Sequence, residues 1–97
     1  MDLYWVENAG QNPVEWFKRY PGRFPLWHIK DMEKAGADGK KGQTCEVGKG
    51  VIDWKAIFAE KKIAGLDYTF VEQEQYRQPV FDCIKESADY MKKNLLK

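Results

Sequence analysis

The sequence predicts an α/β fold in which three strand-then-helix units share a parallel sheet. Short aromatic and β-branched runs occur at residues 3–6, 24–29 and 68–72. A helix-start signal follows each run: Asn12-Pro13, Asp53 and Pro79. Strands that alternate with helices favour parallel pairing through right-handed crossovers.

The first unit opens with Leu3-Tyr4-Trp5-Val6, whose residue types suit a strand. A polar stretch, residues 7–11, breaks it. Asn12 then caps a helix with Pro13 at its first position, Val14, Phe17 and Tyr20 form its apolar stripe, and Pro21-Gly22 ends it. The second unit runs through Phe24-Pro25-Leu26-Trp27-His28-Ile29, a buried strand ending at Lys30-Asp31. A Gly-, Lys- and Asp-rich loop follows over residues 32–50, longer than the ~12–15 residues usual for a structureless connection. Asp53 caps the next helix, Trp54, Ile57, Phe58 and Lys61 keep helical spacing, and Gly65 terminates it. The third strand is Tyr68-Thr69-Phe70-Val71-Glu72. A turn over residues 75–78 leads to a helix that starts at Pro79 and presents Val80, Ile84, Ser87, Ala88, Met91 and Leu95 on one face.

Bulk properties fit this architecture. A chain of 97 residues is enough for one domain, and 43% hydrophobic and 14% aromatic content supports a packed core. The net charge is +1 with acids and bases interleaved, so no field draws the chain to nucleic acid or membrane. The short clusters Lys40-Lys41, Lys61-Lys62 and Lys92-Lys93 read as solvated surface. Cys45 and Cys83 belong to no C-x-x-C pair and are expected as free thiols in a reduced, cytoplasmic protein. The N-terminus lacks the pattern of a signal peptide. No apolar run reaches the ~18 residues of a membrane span.

In parallel α/β folds, sites gather at the C-terminal ends of strands. That rule directs attention to Asp2, to the segment from His28 to Asp31, and to Glu72 and Glu74. His28 is the only histidine. It is either a buried imidazole satisfied by the backbone or a metal ligand. Glu72 and Glu74 share one face of an extended segment; they are either two solvated acids or a pair bound to a cation. Asp2 and Asp31 are each a ligand, a positioning group or a cap. Together, Asp, His and Glu on one rim suit Mn, Mg, Co or Zn. In the loop Val47-Gly48-Lys49-Gly50, two glycines permit close backbone approach to a ligand and Lys49 could meet a phosphate; the plainer reading is a turn before Asp53. The segment does not match a P-loop.

The ordered series Asp2-Leu3-Tyr4-Trp5-Val6, Ala9-Gly10, His28-Ile29-Lys30-Asp31, Val47-Gly48-Lys49-Gly50, Ile52-Asp53-Trp54 and Val71-Glu72-Gln73-Glu74 resembles the last three strand-helix units of the sugar phosphate isomerase/epimerase family, the xylose isomerase-like TIM barrels. The resemblance covers essentially the whole chain. It implies that residues 1–97 are the C-terminal β-α units of a (β/α)8 barrel, incomplete as a single chain, since such barrels need ~250 residues. It implies one divalent cation held by Asp2, His28 and Glu72, with a further Glu from a strand that would precede Met1. It also implies that Glu72 is the catalytic residue moving a proton beside the carbonyl of a sugar or sugar phosphate, and that Trp5, Lys30, Asp31 and Glu74 line the substrate.

Trp5 stands where many of the sugar epimerases carry a histidine, which leaves the sugar and the reaction open. Within the same fold, dehydration or hydrolysis is an alternative chemistry. Endonuclease-like activity is disfavoured, because a multi-zinc cluster needs many histidines. With one general acid-base partner missing, the 97-residue chain is expected to be inactive alone and to oligomerise or associate with missing barrel units through its sheet edges. The alternative is a stand-alone, non-catalytic α/β domain that oligomerises or binds a partner through that edge.

Overall fold

A computed structural model describes residues 1–36 and 42–96. Its elements are α1 (Leu3–Asn8), α2 (Pro13–Arg19), β1 (Leu26–Ile29), β2 (Asp31–Met32), β3 (Thr44–Cys45), α3 (Trp54–Ala59), α4 (Lys61–Ala64), β4 (Tyr68–Val71) and α5 (Val80–Tyr90). A wider π-type turn, Met91–Leu95, continues α5. The fold is mixed α/β with parallel strands, and the described residues form no closed barrel.

The second and third expected strands pair in parallel, in a two-stranded sheet. β1 pairs with β4 in the register Leu26 to Tyr68, Trp27 to Thr69, His28 to Phe70 and Ile29 to Val71. Glu72 N donates to Ile29 O and carries the ladder one residue further. On the other edge of β1, Asp2 forms a parallel bridge to His28, and His28 N donates to Met1 O.

The first strand is a correction. Only Met1 and Asp2 reach the sheet, and residues 3–8 are helical. Asp2 Oδ1 accepts from Trp5 N at 3.1 Å and caps α1, while Leu3 and Tyr4 are buried beneath it. Cap and burial together outweigh the β preference of Tyr, Trp and Val, which is weak and set by context. The other helices begin where expected. Asn12 and Asp53 cap α2 and α3 through their side chains, and Gly65 ends α4 in the left-handed region. The second helix breaks at Glu60 into α3 and α4. On the last helix, Val80 is exposed and the fully buried positions are Cys83, Ser87, Met91 and Leu95, a stripe of spacing four.

The two faces of β1 differ sharply. Trp27 and Ile29 are fully buried. Trp27 stacks on Phe17 of α2 at 5.0 Å, meets Phe58 of α3 edge-on at 5.1 Å, and donates from Nε1 to Phe24 O. Burying aromatic rings of this size supplies much of the core's stabilisation. Leu26 and His28 alternate onto the other face, which no helix among the described residues covers; on β4, Tyr68 and Phe70 are exposed there too.

The expected long loop is partly structured. β3 pairs antiparallel with β2, setting Cys45 against Asp31 and Thr44 against Met32. Residues 37–41, which include the expected surface cluster Lys40-Lys41, lie outside the described residues.

Asp31 explains the rest of that loop. Its carboxylate has no solvent access and accepts five hydrogen bonds. Oδ1 takes Met32 N at 2.8 Å and Ile52 N at 3.2 Å, and Oδ2 takes Gly48 N at 2.9 Å, Gly50 N at 3.1 Å and Trp54 Nε1 at 2.8 Å. The Val47-Gly48-Lys49-Gly50 segment is therefore a cradle, and the group its backbone approaches is internal. A Cβ on Gly50 would lie 2.3 Å from Met32 O and 2.4 Å from Asp31 Oδ1, and one on Gly48 would strike the Tyr90 ring. Lys49 turns away and pairs with Glu86 at 2.7 Å.

Removing the carboxylate would strand four buried N–H groups and an indole donor. Asp31→Ala is expected to lower unfolding stability by about 3–5 kcal/mol, and Gly50→Ala to be destabilising as well. Urea denaturation followed by Trp fluorescence measures both. An Asp31→Ala midpoint within error of wild type would sink this account of the loop.

Candidate functional site

The uncovered sheet face puts chemistry-bearing residues in rows. Side chains two apart on one strand share a face. The register aligns Asp2, His28 and Phe70 in one row and sets Lys30 level with Glu72 in the next. Glu74 follows two residues beyond Glu72. Convergence of residues distant in sequence thus follows from parallel pairing.

Asp2, His28 and Glu72 each offer a ligand atom within 4.8 Å of the others, close enough for the three to share one ion. His28 Nδ1 lies 2.9 Å from Glu72 Oε1 and 3.4 Å from Asp2 Oδ2. The imidazole is half exposed, at 49%. His28 is therefore not the buried, backbone-satisfied imidazole of the plainer reading. Beside it lies a groove of about 450 Å³ lined by Met1, Asp2, Leu26, His28 and Phe70.

Lys30 is the centre of the cluster. Its side chain is only 4% exposed, and its ammonium lies 2.9 Å from Asp2 Oδ2, 2.8 Å from Glu72 Oε1 and 3.4 Å from Glu74 Oε1. Burial works against its charge, but the hydrogen bonds to Glu72 and Asp2 outweigh that and hold the ammonium above the ordinary lysine value. Asp2 serves two elements at once. Oδ1 caps α1 and Oδ2 faces the cluster, so the cap fixes the orientation of the site-facing oxygen.

The segment carrying Glu74 is held by a residue that was not a sequence candidate. Thr44 Oγ1 accepts from Glu74 N at 2.9 Å and from Gln75 N at 2.8 Å, and Gln75 Oε1 lies 2.7 Å from the same hydroxyl and accepts from Thr44 N. Arg77 forms a two-pronged pair with Glu33 just beyond. Nothing in the sequence around Thr44 distinguishes it, because its role depends on β3 meeting the turn after β4.

Two expected substrate-lining residues sit elsewhere. Asp31 is sealed beneath the loop with its hydrogen-bonding capacity engaged and presents no face to a ligand. Trp5 is exposed on α1 and lines a separate apolar groove with Val6, Trp16 and Phe24, which touches the His28 groove through Met1 and Asp2.

The donor set suits a divalent cation. One imidazole and two carboxylates are ligands of the borderline-to-hard type. Three carboxylates against one lysine leave the cluster two negative charges when the imidazole is neutral, as a metal-ligating imidazole is.

No protein-family model matches the chain, and no curated protein does. Among solved structures it is similar to a sugar phosphate isomerase/epimerase from Parabacteroides distasonis ATCC 8503. The match has a TM-score of 0.78 and 30% sequence identity over 96% of this chain. The chain spans 29% of that protein's length.

Thr44→Val removes the hydroxyl that takes two backbone donors and is expected to cost about 2 kcal/mol, whereas Thr44→Ser keeps most of the stability. Chemical denaturation of the two variants tests this; equal losses in both would show that the hydroxyl is not the anchor.

Proposed function

We propose, starting from this structural likeness to a sugar phosphate isomerase/epimerase, that the chain supplies part of the active site of a divalent-metal-dependent sugar or sugar phosphate isomerase/epimerase. The observation that carries the reading is the convergence of Asp2, His28 and Glu72 on the open face of a parallel sheet.

Asp2, His28 and Glu72 would hold the cation. When bound, it supplies Lewis-acid polarisation of neighbouring sugar oxygens. Glu72 is the group on this chain best set to move a proton. Its Oε1 lies against His28 Nδ1 and is held by Lys30, so the carboxylate is oriented before substrate arrives. In the complete enzyme Glu72 would take the proton from the carbon beside the sugar carbonyl, and a second acid-base group outside this chain would act on the opposite face. General acid-base catalysis contributes ~10²–10⁴-fold, so a chain with one of the two groups would turn over little sugar by itself. Leu26 and Phe70 supply an apolar floor next to the polar cluster, a combination that suits a sugar ring with one hydrophobic face.

Isothermal titration of Mn²⁺ into the purified chain tests the cation site. Wild type is expected to bind, and His28→Ala and Glu72→Ala to lose at least about tenfold in affinity. Binding unchanged in both variants would place the ion elsewhere and overturn this reading.

A further inference from the structure

Lys30 has a place in the cluster that orienting Glu72 does not exhaust. Its ammonium lies against Asp2, Glu72 and Glu74 together, and it does so from a buried position. Asp2 Oδ1 is committed to capping α1, which leaves Oδ2 as the oxygen free to ligate. Glu72 Oε1 is the oxygen that faces His28. The ammonium sits on these same two atoms, at 2.9 and 2.8 Å. A divalent cation coordinated by Asp2, His28 and Glu72 would therefore meet a positive charge on its own ligands. Glu74 offers the ammonium somewhere to go, since its Oε1 is already 3.4 Å away on the same side.

We propose that Lys30 is a positioning residue that acts as a tethered counter-ion. Its ammonium keeps Asp2 and Glu72 together before a cation arrives, competes with the cation for their oxygens, and transfers to Glu74 when the cation binds. The proposal rests on the cation reading above. It has two opposed consequences. Without metal, Lys30 stabilises the cluster by preventing repulsion between adjacent carboxylates. With metal, it weakens binding, because like charges a few ångströms apart repel strongly where solvent screening is poor.

The test is Mn²⁺ titration of wild type, Lys30→Met, Lys30→Arg and Glu74→Gln, with melting curves in EDTA and in saturating Mn²⁺. Lys30→Met is expected to bind Mn²⁺ more than about tenfold tighter than wild type. It should melt lower in EDTA yet gain more from Mn²⁺, since ligand stabilisation rises with affinity. Lys30→Arg retains the charge and should behave as wild type. Glu74→Gln should bind more weakly than wild type, and its penalty should shrink in the Lys30→Met background, because the two residues are coupled. A purely structural lysine would lower both melting curves equally and leave the affinity unmoved.

Mn²⁺ binding by Lys30→Met equal to or weaker than wild type overturns this proposal alone. No binding in either chain overturns the cation reading and this proposal with it. Should Lys30→Met fail to fold, Glu74→Gln decides: wild-type affinity there overturns the transfer.

Discussion

A carboxylate with no access to water organises the second half of this chain. Asp31 brings a negative charge into the interior, where it would be costly if unpaired. Among the described residues no cationic side chain pairs with it; four backbone N–H groups and the Trp54 indole do. These bonds draw residues 47–54 onto the end of β1 and deliver Asp53 to the start of α3. The glycines at 48 and 50 are required because Tyr90 in one case, and Met32 O and Asp31 itself in the other, occupy the space of a side chain. A stretch that looks like a ligand-binding loop in sequence is thus a loop whose ligand is the protein.

Lys30 and Asp31 are neighbours in sequence that face opposite sides. Asp31 fastens the loop, and Lys30 gathers the carboxylates of the open face. The rigidity of one side benefits the other: a strand end locked by five hydrogen bonds gives Lys30 a fixed base from which to hold Asp2 and Glu72. Thr44 does the same for the turn beyond β4. The site is built from short strands, but each ends in an anchor.

The sheet's asymmetry gives these anchors their purpose. Trp27 packs against α2 and α3 and Ile29 is buried in the same core, while Leu26, Tyr68 and Phe70 remain exposed with the polar cluster at their end. Apolar residues in regular alternation on a bare sheet face match the inward side of a barrel wall. The structural match agrees, because nearly all of this chain superposes on less than a third of a sugar phosphate isomerase/epimerase.

Local chemistry made much of this legible from the sequence. Asn12-Pro13, Asp53 and Gly65 mark helix ends through bonds made within a few residues, so their signals survive without tertiary information. The apolar runs at 26–29 and 68–71 marked the two parallel strands, and the strand-end rule brought His28 and Glu72 forward as candidates. Other features were decided only in three dimensions. Tyr4, Trp5 and Val6 have strand-like side chains, yet their segment is helical because Asp2 caps it and Leu3 and Tyr4 are buried beneath it. Lys30 and Asp31 stood out in sequence only as a polar pair at a strand end, and Thr44 not at all. Their roles arise from partners about twenty to forty residues away, and no local pattern records which distant oxygen or amide the fold will set beside them.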